Sequence, residues 1–302
     1  MRSLVVVIAA SVVVAVGLAA CSPLKTINLV TPEGSFARTA DIAYGDASVR
    51  QQLDVYVPVK GAKPPPVVVF FYGGSWTGGS RKDYMYVAQA LAARGIMTVV
   101  PDYRLSPEVV YPAFVQDSAK AVAWTLDNIA QYGGDVNRVF VMGHSAGGYN
   151  AAMVALDDRW LKPYGKSPAA LKGWIGLAGP YDFLPIVNPD IKPAFLYPNT
   201  PKDSQPVVHA SAESPPALLL AGSKDDVVDP KRNTVQMTTL LRAKGVYVDE
   251  DVYEGLGHAM MVGVIAWPLR SRAPVLDRVV DFIERDGKAP AAESVSAGKQ
   301  GG

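Results

Sequence analysis

The stretch Val139–Gly147, which reads Val-Phe-Val-Met-Gly-His-Ser-Ala-Gly, constrains the fold of this chain more than any other segment. Its first four residues form an apolar run typical of a short buried strand, and Gly143-x-Ser145-x-Gly147 follows at once. Residues 149–156 then carry apolar side chains at helical spacing. On the pentapeptide alone, the alternative is a glycine-rich turn whose serine only caps a helix. The order of strand, tight turn and helix instead predicts a nucleophile elbow, with a strained serine exposed above the positive end of a helix.

Composition excludes several classes of function. The chain has 302 residues, of which 49% are apolar and 19% charged, so a sizeable core is expected. Its net charge of +1 gives no electrostatic reason to expect a nucleic-acid partner. A single cysteine precludes an intramolecular disulfide and a thiolate cluster, and no metal-ligand spacing is present. We therefore predict chemistry that needs neither a metal nor an organic cofactor.

The N-terminus has the form of an export signal. Residues 1–20 contain an apolar run, Leu4–Val16, and end in Leu-Ala-Ala before Cys21. This ending resembles a bacterial lipobox, in which the cysteine is lipidated and cleavage occurs just before it; Ser22 resembles the signal for outer-membrane sorting. The alternative is an ordinary cleaved signal with a chance cysteine. We predict a protein of the bacterial cell envelope, anchored by lipid at Cys21 through a polar tether over residues 21–35.

Residues 36–285 alternate between strand-like and helical segments, which predicts one α/β domain with a mainly parallel sheet covered by helices on both faces. The predicted strands outside the elbow are Thr39–Tyr44, Leu53–Val57, Val67–Tyr72, Met97–Val100, Trp174–Ala178, Ala217–Ala221 and Val246–Tyr253. Residues 179–216 are rich in proline without periodicity, which predicts loops and short helices and a small lid or none. Residues 286–302 are small and polar and are predicted to be a disordered tail.

A serine hydroxyl needs a general base within hydrogen-bonding reach, and the chain offers three histidines. His144 lies inside the elbow, where its side chain should point away from the serine. His209 precedes the candidate acids, against the Ser, Asp, His chain order of this arrangement. His258, in a glycine-flanked loop after the last predicted strand, is therefore the predicted base.

The acid that orients this base is expected in residues 222–229, at the tip of a predicted strand. Asp229 precedes Pro230 and is better explained as a helix cap. Asp225 and Asp226 are adjacent, and the pattern alone does not separate them.

An oxyanion needs backbone donors placed in advance. Gly73, Gly74 and Ser75 directly follow a predicted buried strand, and Ala146 follows the serine. Because the carboxyl ends of parallel strands meet at one edge, these residues, Ser145 and the candidate acids are expected to share one rim. The alternatives for Gly-Gly are a simple tight turn or a phosphate loop, although no P-loop lysine or Gly-x-Gly-x-x-Gly is present.

Four segments now carry a resemblance, which extends over roughly residues 40 to 285. They are Phe71-Tyr-Gly-Gly-Ser-Trp76, Asp102-Tyr-Arg-Leu-Ser-Pro-Glu108, Gly143-His-Ser-Ala-Gly-Gly148, and Gly222-x-x-Asp225 with Gly257-His258. The chain resembles α/β-hydrolase carboxylesterases of the hormone-sensitive-lipase-like and feruloyl/acetylxylan-esterase-like groups. The resemblance implies an α/β-hydrolase fold and a Ser145–His258–Asp225 triad, since the family's Gly-x-x-Asp spacing selects Asp225. The family usually has His-Gly-Gly where this chain has Tyr72-Gly73-Gly74, so the support of the oxyanion loop is expected to differ.

The predicted function is hydrolysis of small-molecule carboxylic esters with short to medium acyl chains. Ser145 would form an acyl-enzyme, and Gly73, Gly74, Ser75 and Ala146 would surround the oxyanion. An arylformamidase-like amidase is the alternative enzyme, because the Gly-Gly-x-Trp loop also resembles that group. A catalytically inactive envelope scaffold of the same fold is the alternative from another class.

Overall fold

The computed structural model describes residues 23–62 and 64–290. The predicted signal over residues 1–20, Cys21, and residues 291–302 of the predicted tail lie outside the described residues. Within the described ranges, none of the helices combines the length and the apolar character needed to cross a bilayer.

An eight-stranded sheet with the order β1-β2-β4-β3-β5-β6-β7-β8 forms the centre of the molecule. The strands are β1 (Phe36–Ala43), β2 (Gln52–Pro58), β3 (Val67–Phe71), β4 (Met97–Pro101), β5 (Val139–His144), β6 (Gly173–Leu177), β7 (Ala217–Gly222) and β8 (Val248–Tyr253). β2 pairs antiparallel with both β1 and β4, and the pairs from β4 through β8 are all parallel. Every residue of β3 through β7 is buried, as expected for parallel strands covered on both faces. The predicted α/β class and mainly parallel sheet are confirmed.

Seven α-helices lie in the described part of the chain. They are α1 (Pro23–Leu29), α2 (Met85–Ala92), α3 (Ala113–Asn128), α4 (Ala146–Leu156), α5 (Gln236–Ala243), α6 (Met260–Gly263) and α7 (Val275–Glu284). Every residue of α4 is buried, and its first three residues are Ala-Gly-Gly. Small side chains at this end let the helix approach the sheet closely.

The strand register brings the functional loops to one rim. Phe71, at the end of β3, pairs with Gly143 near the end of β5, and His144 pairs with Leu177 of β6. Gly222, at the end of β7, pairs with Tyr253 at the end of β8. The loops that begin at residues 72, 145, 223 and 254 therefore leave the sheet at the same carboxyl edge.

Residues 179–216 form loops and short helical turns, as the sequence predicts. This segment contains four short 3₁₀ turns and no α-helix or strand, the turns being Pro189–Ile191, Pro193–Phe195, Lys202–Ser204 and Pro206–His209. The segment covers part of the carboxyl edge of the sheet, beside Ser145, without forming a separate domain.

Both ends of the described chain contact the domain. The predicted tether contains α1, whose Asn28 donates to the carbonyl of Lys82 at 2.9 Å and accepts from the N–H of Tyr86 at 3.2 Å. At the other end, Asp286 lies 2.6 Å from Arg138 Nε, which places the start of the predicted tail on the domain. Both segments are held by contacts with residues distant in sequence, which composition does not reveal.

Candidate active site

Ser145 lies in a strained turn between β5 and α4. Its φ and ψ are 55° and −124°, a combination that only a well-supported turn imposes on a non-glycine residue. A Cβ on Gly147 would lie 2.0 Å from the carbonyl oxygen of Phe71, and one on Gly143 would lie 2.1 Å from that of Gly147. Both glycines of Gly-x-Ser-x-Gly are therefore required by the close approach of the helix to the strands.

His258 lies in the loop between β8 and α6 and faces the serine. Its Nε2 is 2.8 Å from Ser145 Oγ, and its Nδ1 is 2.8 Å from Asp225 Oδ2. The structure thus brings the predicted nucleophile, base and acid into one continuous line of hydrogen bonds. Such a line lets an imidazole accept the serine proton while a carboxylate stabilises the resulting charge.

Asp225, rather than Asp226, faces the imidazole. Its Oδ1 accepts hydrogen bonds from the N–H groups of Val227 at 2.9 Å and Val228 at 2.8 Å, which fixes the carboxylate in place. Burial acts to raise the pKa of Asp225, but the hydrogen bonds from His258, Val228 and Val227 outweigh it and hold the pKa below its ordinary value. Asp226 is exposed.

Asp229 accepts from the N–H of Lys231 at 2.8 Å, as expected for a residue that caps a helical segment. Here the first turn after Pro230 is a π-turn, Lys231–Val235, which leads directly into α5. Asp229 is therefore a capping residue, and it also lies on the wall of the cleft described below.

The loop after β3 takes a sharply turned path beside the serine. Gly74, Ser75 and Trp76 all have positive φ, at 133°, 54° and 58°. The N–H groups of Gly74, Ser75 and Ala146 make no hydrogen bond to any described residue. The predicted oxyanion donors Gly74, Ser75 and Ala146 therefore have N–H groups that no described residue occupies.

Tyr72 supports this loop through both its ring and its hydroxyl. The ring stacks between Tyr84 and Tyr103, with centroid distances of 5.6 and 4.8 Å. The hydroxyl donates to Asp102 Oδ1 at 2.8 Å and accepts from Arg50 Nη2 at 2.9 Å. Burial raises the pKa of Tyr72 well above its ordinary value, so the phenol stays protonated.

Two further contacts tie the neighbouring segments to this loop. The hydroxyl of Tyr103 donates to the carbonyl of Tyr72 at 2.7 Å, so the segment after β4 braces the loop that follows β3. Arg81 pairs with the buried carboxylates of Asp54, at 3.0 Å, and Asp102. Sequence analysis missed Arg50, Arg81 and Asp54, whose partners lie far away in the chain.

An open cleft lies over Ser145. Ser75, Trp76, Ser145 and Ala146 line it at the rim of the sheet. Phe183, Ile186 and Asp182 line it from the covering segment of residues 179–216, and Arg232 lines it from the turn before α5. Trp76 is also a core residue, since it is 2% exposed and its Nε1 donates to Asn150 Oδ1 at 3.1 Å. Asp182 pairs with Arg232 at 3.1 Å.

The two remaining histidines occupy different environments. His209 lies away from Ser145, with its Nε2 2.7 Å from the carbonyl oxygen of Asp203. His144 is buried, and its Nε2 is 3.0 Å from the carbonyl oxygen of His258. Burial and the neighbouring His258 lower the pKa of His144 to about 3. Among the described residues, no group of three or more His, Cys, Asp or Glu side chains is arranged to hold a metal ion.

Comparison with known proteins gives a consistent result. The BD-FAE family model matches residues 53–241. The chain is 28% identical over 267 residues to an isoprenylcysteine alpha-carbonyl methylesterase of Arabidopsis thaliana, covering 81% of this chain and 62% of the relative. It is 29% identical over 265 residues to esterase LipQ of Mycobacterium tuberculosis, covering 82% and 62%. The chain thus spans less than two thirds of the length of these curated relatives.

Solved structures share the fold. Esterase B of Lactobacillus rhamnosis superposes with a TM-score of 0.72 at 20% identity, over 94% of this chain and 97% of that one. An esterase of the archaeon Pyrobaculum calidifontis superposes with a TM-score of 0.69 at 25% identity, over 88% and 90%. With the strand order described above, these similarities confirm the predicted α/β-hydrolase fold.

Proposed function

This chain belongs to the BD-FAE family, and we propose that it is a serine hydrolase that cleaves carboxylic esters of short to medium acyl chains. One observation carries the proposal: the line of hydrogen bonds from Ser145 through His258 to Asp225, with both distances 2.8 Å. The names of the curated relatives, which are esterases, support the choice of ester over other acyl substrates.

In the proposed reaction, Ser145 Oγ attacks the ester carbonyl as His258 Nε2 takes its proton. Asp225 holds the other ring nitrogen and stabilises the imidazolium. The N–H groups of Gly74, Ser75 and Ala146 stabilise the oxyanion of the tetrahedral intermediate. His258 then gives its proton to the leaving alcohol, and water, activated by the same imidazole, releases the acid from the acyl-serine.

The cleft supports the proposed range of acyl length. Its walls are largely apolar and include Trp76, Phe183 and Ile186, which suits a small-molecule acyl group. The covering segment is short, and its residues, all of them described, form only 3₁₀ turns and loops, which supports small or soluble esters as substrates.

The test is hydrolysis of p-nitrophenyl esters from acetate to palmitate by the wild type and by Ser145→Ala. We expect activity to peak at short or medium chains and to fall by about 10³-fold or more in the variant. A Ser145→Ala protein that keeps more than about a tenth of wild-type kcat would overturn the assignment. Faster cleavage of a formyl anilide than of any ester would favour an arylformamidase-like activity. No turnover of either class would favour the inactive scaffold.

We further propose that the protein is attached to a bacterial envelope by a lipid on Cys21. The support is the Leu-Ala-Ala-Cys sequence after the apolar run of residues 4–16. Metabolic labelling with an alkyne fatty acid should modify the wild type and leave Cys21→Ala unlabelled. Equal labelling of the two proteins, or none of either in a bacterial host, would contradict this proposal.

A further inference from the structure

His144 connects three parts of the candidate site. It directly precedes Ser145 in the chain, and its ring lies 4.9 Å from the ring of His258, centroid to centroid. A Cβ on Gly73 would lie 3.1 Å from His144 Nδ1, so the ring also packs against the start of the oxyanion loop. The side chain therefore touches the loop of the base and the loop that leads to the oxyanion donors.

The proton on this ring can be placed from its contacts. The carbonyl oxygen of His258, 3.0 Å from His144 Nε2, can only accept, so Nε2 carries a hydrogen and donates it. The ring is neutral, because burial and the neighbouring His258 hold the pKa of His144 far below its ordinary value. Nδ1 is consequently unprotonated, and it is buried with no hydrogen-bond partner among the described residues.

The hydrogen bond from His144 to the backbone of His258 comes from a different part of the fold than the other backbone hydrogen bonds of this loop. The loop of His258 is otherwise held by nearby elements: Lys224 N–H donates to the carbonyl of Leu256 at 2.9 Å, and Met261 N–H to that of His258 at 3.2 Å. Of these three hydrogen bonds, only the one from His144 comes from β5, the strand that precedes the nucleophile. It therefore sets the position of the base relative to the serine directly.

We propose that His144 is a positioning residue, whose Nε2–H holds the backbone of His258 so that its imidazole stays aligned with Ser145 through turnover. This inference rests on the proposed serine hydrolase function. The bond between His258 Nε2 and Ser145 Oγ breaks when the acyl-enzyme forms, whereas the bond from His144 to the backbone of His258 remains. The buried Nδ1 of His144 has no hydrogen-bond partner among the described residues, which costs folding free energy. A histidine at this position despite that cost is consistent with a role at the site.

Three substitutions separate this role from general packing. In His144→Gln, the amide Nε2 is as many bonds from Cα as the imidazole Nε2, so it can donate to the same carbonyl. In His144→Asn the amide is one bond shorter and cannot reach, and His144→Leu has no donor. Active sites are counted by fluorophosphonate titration, and folding is checked by thermal unfolding, before kcat and KM are measured on p-nitrophenyl butyrate.

We expect the Asn and Leu variants to lose about 10- to 100-fold in kcat with KM within about threefold, and Gln to stay within about threefold of wild type in kcat. Equal kcat for all four proteins, or a Gln variant as impaired as Leu, would overturn the inference. If the His144→Leu protein does not fold, the kcat of His144→Gln compared with that of His144→Asn tests the inference. A wild type that neither hydrolyses esters nor reacts with the fluorophosphonate would instead refute the proposed function.

Discussion

The Nε2 atom of His258 lies 2.8 Å from Oγ of Ser145, although 113 residues separate them in the chain. Ser145 follows β5, and His258 follows β8 at the edge of the sheet. The parallel register of β5 through β8 turns this long separation in sequence into a hydrogen bond, because all of these strands end at the same rim. The proposed chemistry depends on this contact, and the predictions below test the parts that maintain it.

The acid of the triad is tested by two adjacent asparagines. Asp225→Asn keeps the shape of the side chain but removes the charge that stabilises a protonated His258, so we expect kcat to fall about 10⁴-fold. Asp226→Asn changes an exposed neighbour and should leave kcat within about twofold. Steady-state kinetics on one p-nitrophenyl ester measures both. A larger loss in Asp226→Asn than in Asp225→Asn would reverse the assignment.

Tyr72→Phe tests the hydroxyl beneath the oxyanion loop. The substitution removes the bonds to Asp102 and Arg50, and we expect it to lower the free energy of unfolding by about 1–2 kcal/mol. A lower kcat should accompany this loss, because the loop carries two proposed oxyanion donors. Tyr86→Phe is the matched control: its hydroxyl is equally buried but has no partner among the described residues, so its removal should be close to neutral. Equal urea denaturation midpoints for the two variants would contradict the role given to Tyr72.

Gly147→Ala tests the close packing of the elbow. The added methyl group would lie 2.0 Å from the carbonyl oxygen of Phe71, so β3 and α4 would have to separate. We expect a loss of about 3 kcal/mol or more in the free energy of unfolding, or no folded protein. Gly34→Ala, whose methyl group would meet nothing within 4 Å, should change stability by about 0.5 kcal/mol at most. Circular dichroism melts of the two proteins should differ accordingly, and similar melts would refute the packing argument.

The buried neutral state of His144 predicts a dependence of stability on pH. In the unfolded chain this histidine takes up a proton near its ordinary pKa of 6.5. In the folded protein, burial and the neighbouring His258 lower its pKa to about 3, against the opposing effect of Asp225. Below pH 6.5 the unfolded state therefore binds more protons, and stability falls as the pH is lowered. His144→Gln removes this term, so it should lose about 2 kcal/mol less than the wild type between pH 7 and pH 5. Urea denaturation at the two pH values measures it; identical losses would contradict a buried neutral His144.

Local patterns were enough to predict much of the fold and the site. Ser145 and its glycines are recognisable because the turn requires them within five residues, and β3 is recognisable as a continuous apolar run. Strand boundaries were predicted less accurately than the presence of the strands. For example, β8 begins at Val248, two residues after the predicted start. Both residues precede the point where pairing with β7 begins, and pairing is not visible in the sequence.

Other features depend on contacts that no local pattern encodes. Asp225 and Asp226 are chemically alike, and the N–H groups of Val227 and Val228 decide which carboxylate turns inward. Arg81 bonds to Asp54 and Asp102 across 27 and 21 residues, so its burial could not be foreseen from its neighbours. The contact of His144 with His258 likewise exists only because the last loop folds back over β5.

Ser145 is tested most directly as the nucleophile by labelling with a fluorophosphonate, followed by peptide mass analysis and a parallel ester assay. We expect one label per chain, on the peptide that contains Ser145, and loss of ester hydrolysis in proportion to labelling. His258→Asn should slow labelling by at least about 10³-fold, because the serine would lack its base. A label on another residue, or full ester hydrolysis after Ser145 is labelled, would contradict the proposal that this serine carries the reaction.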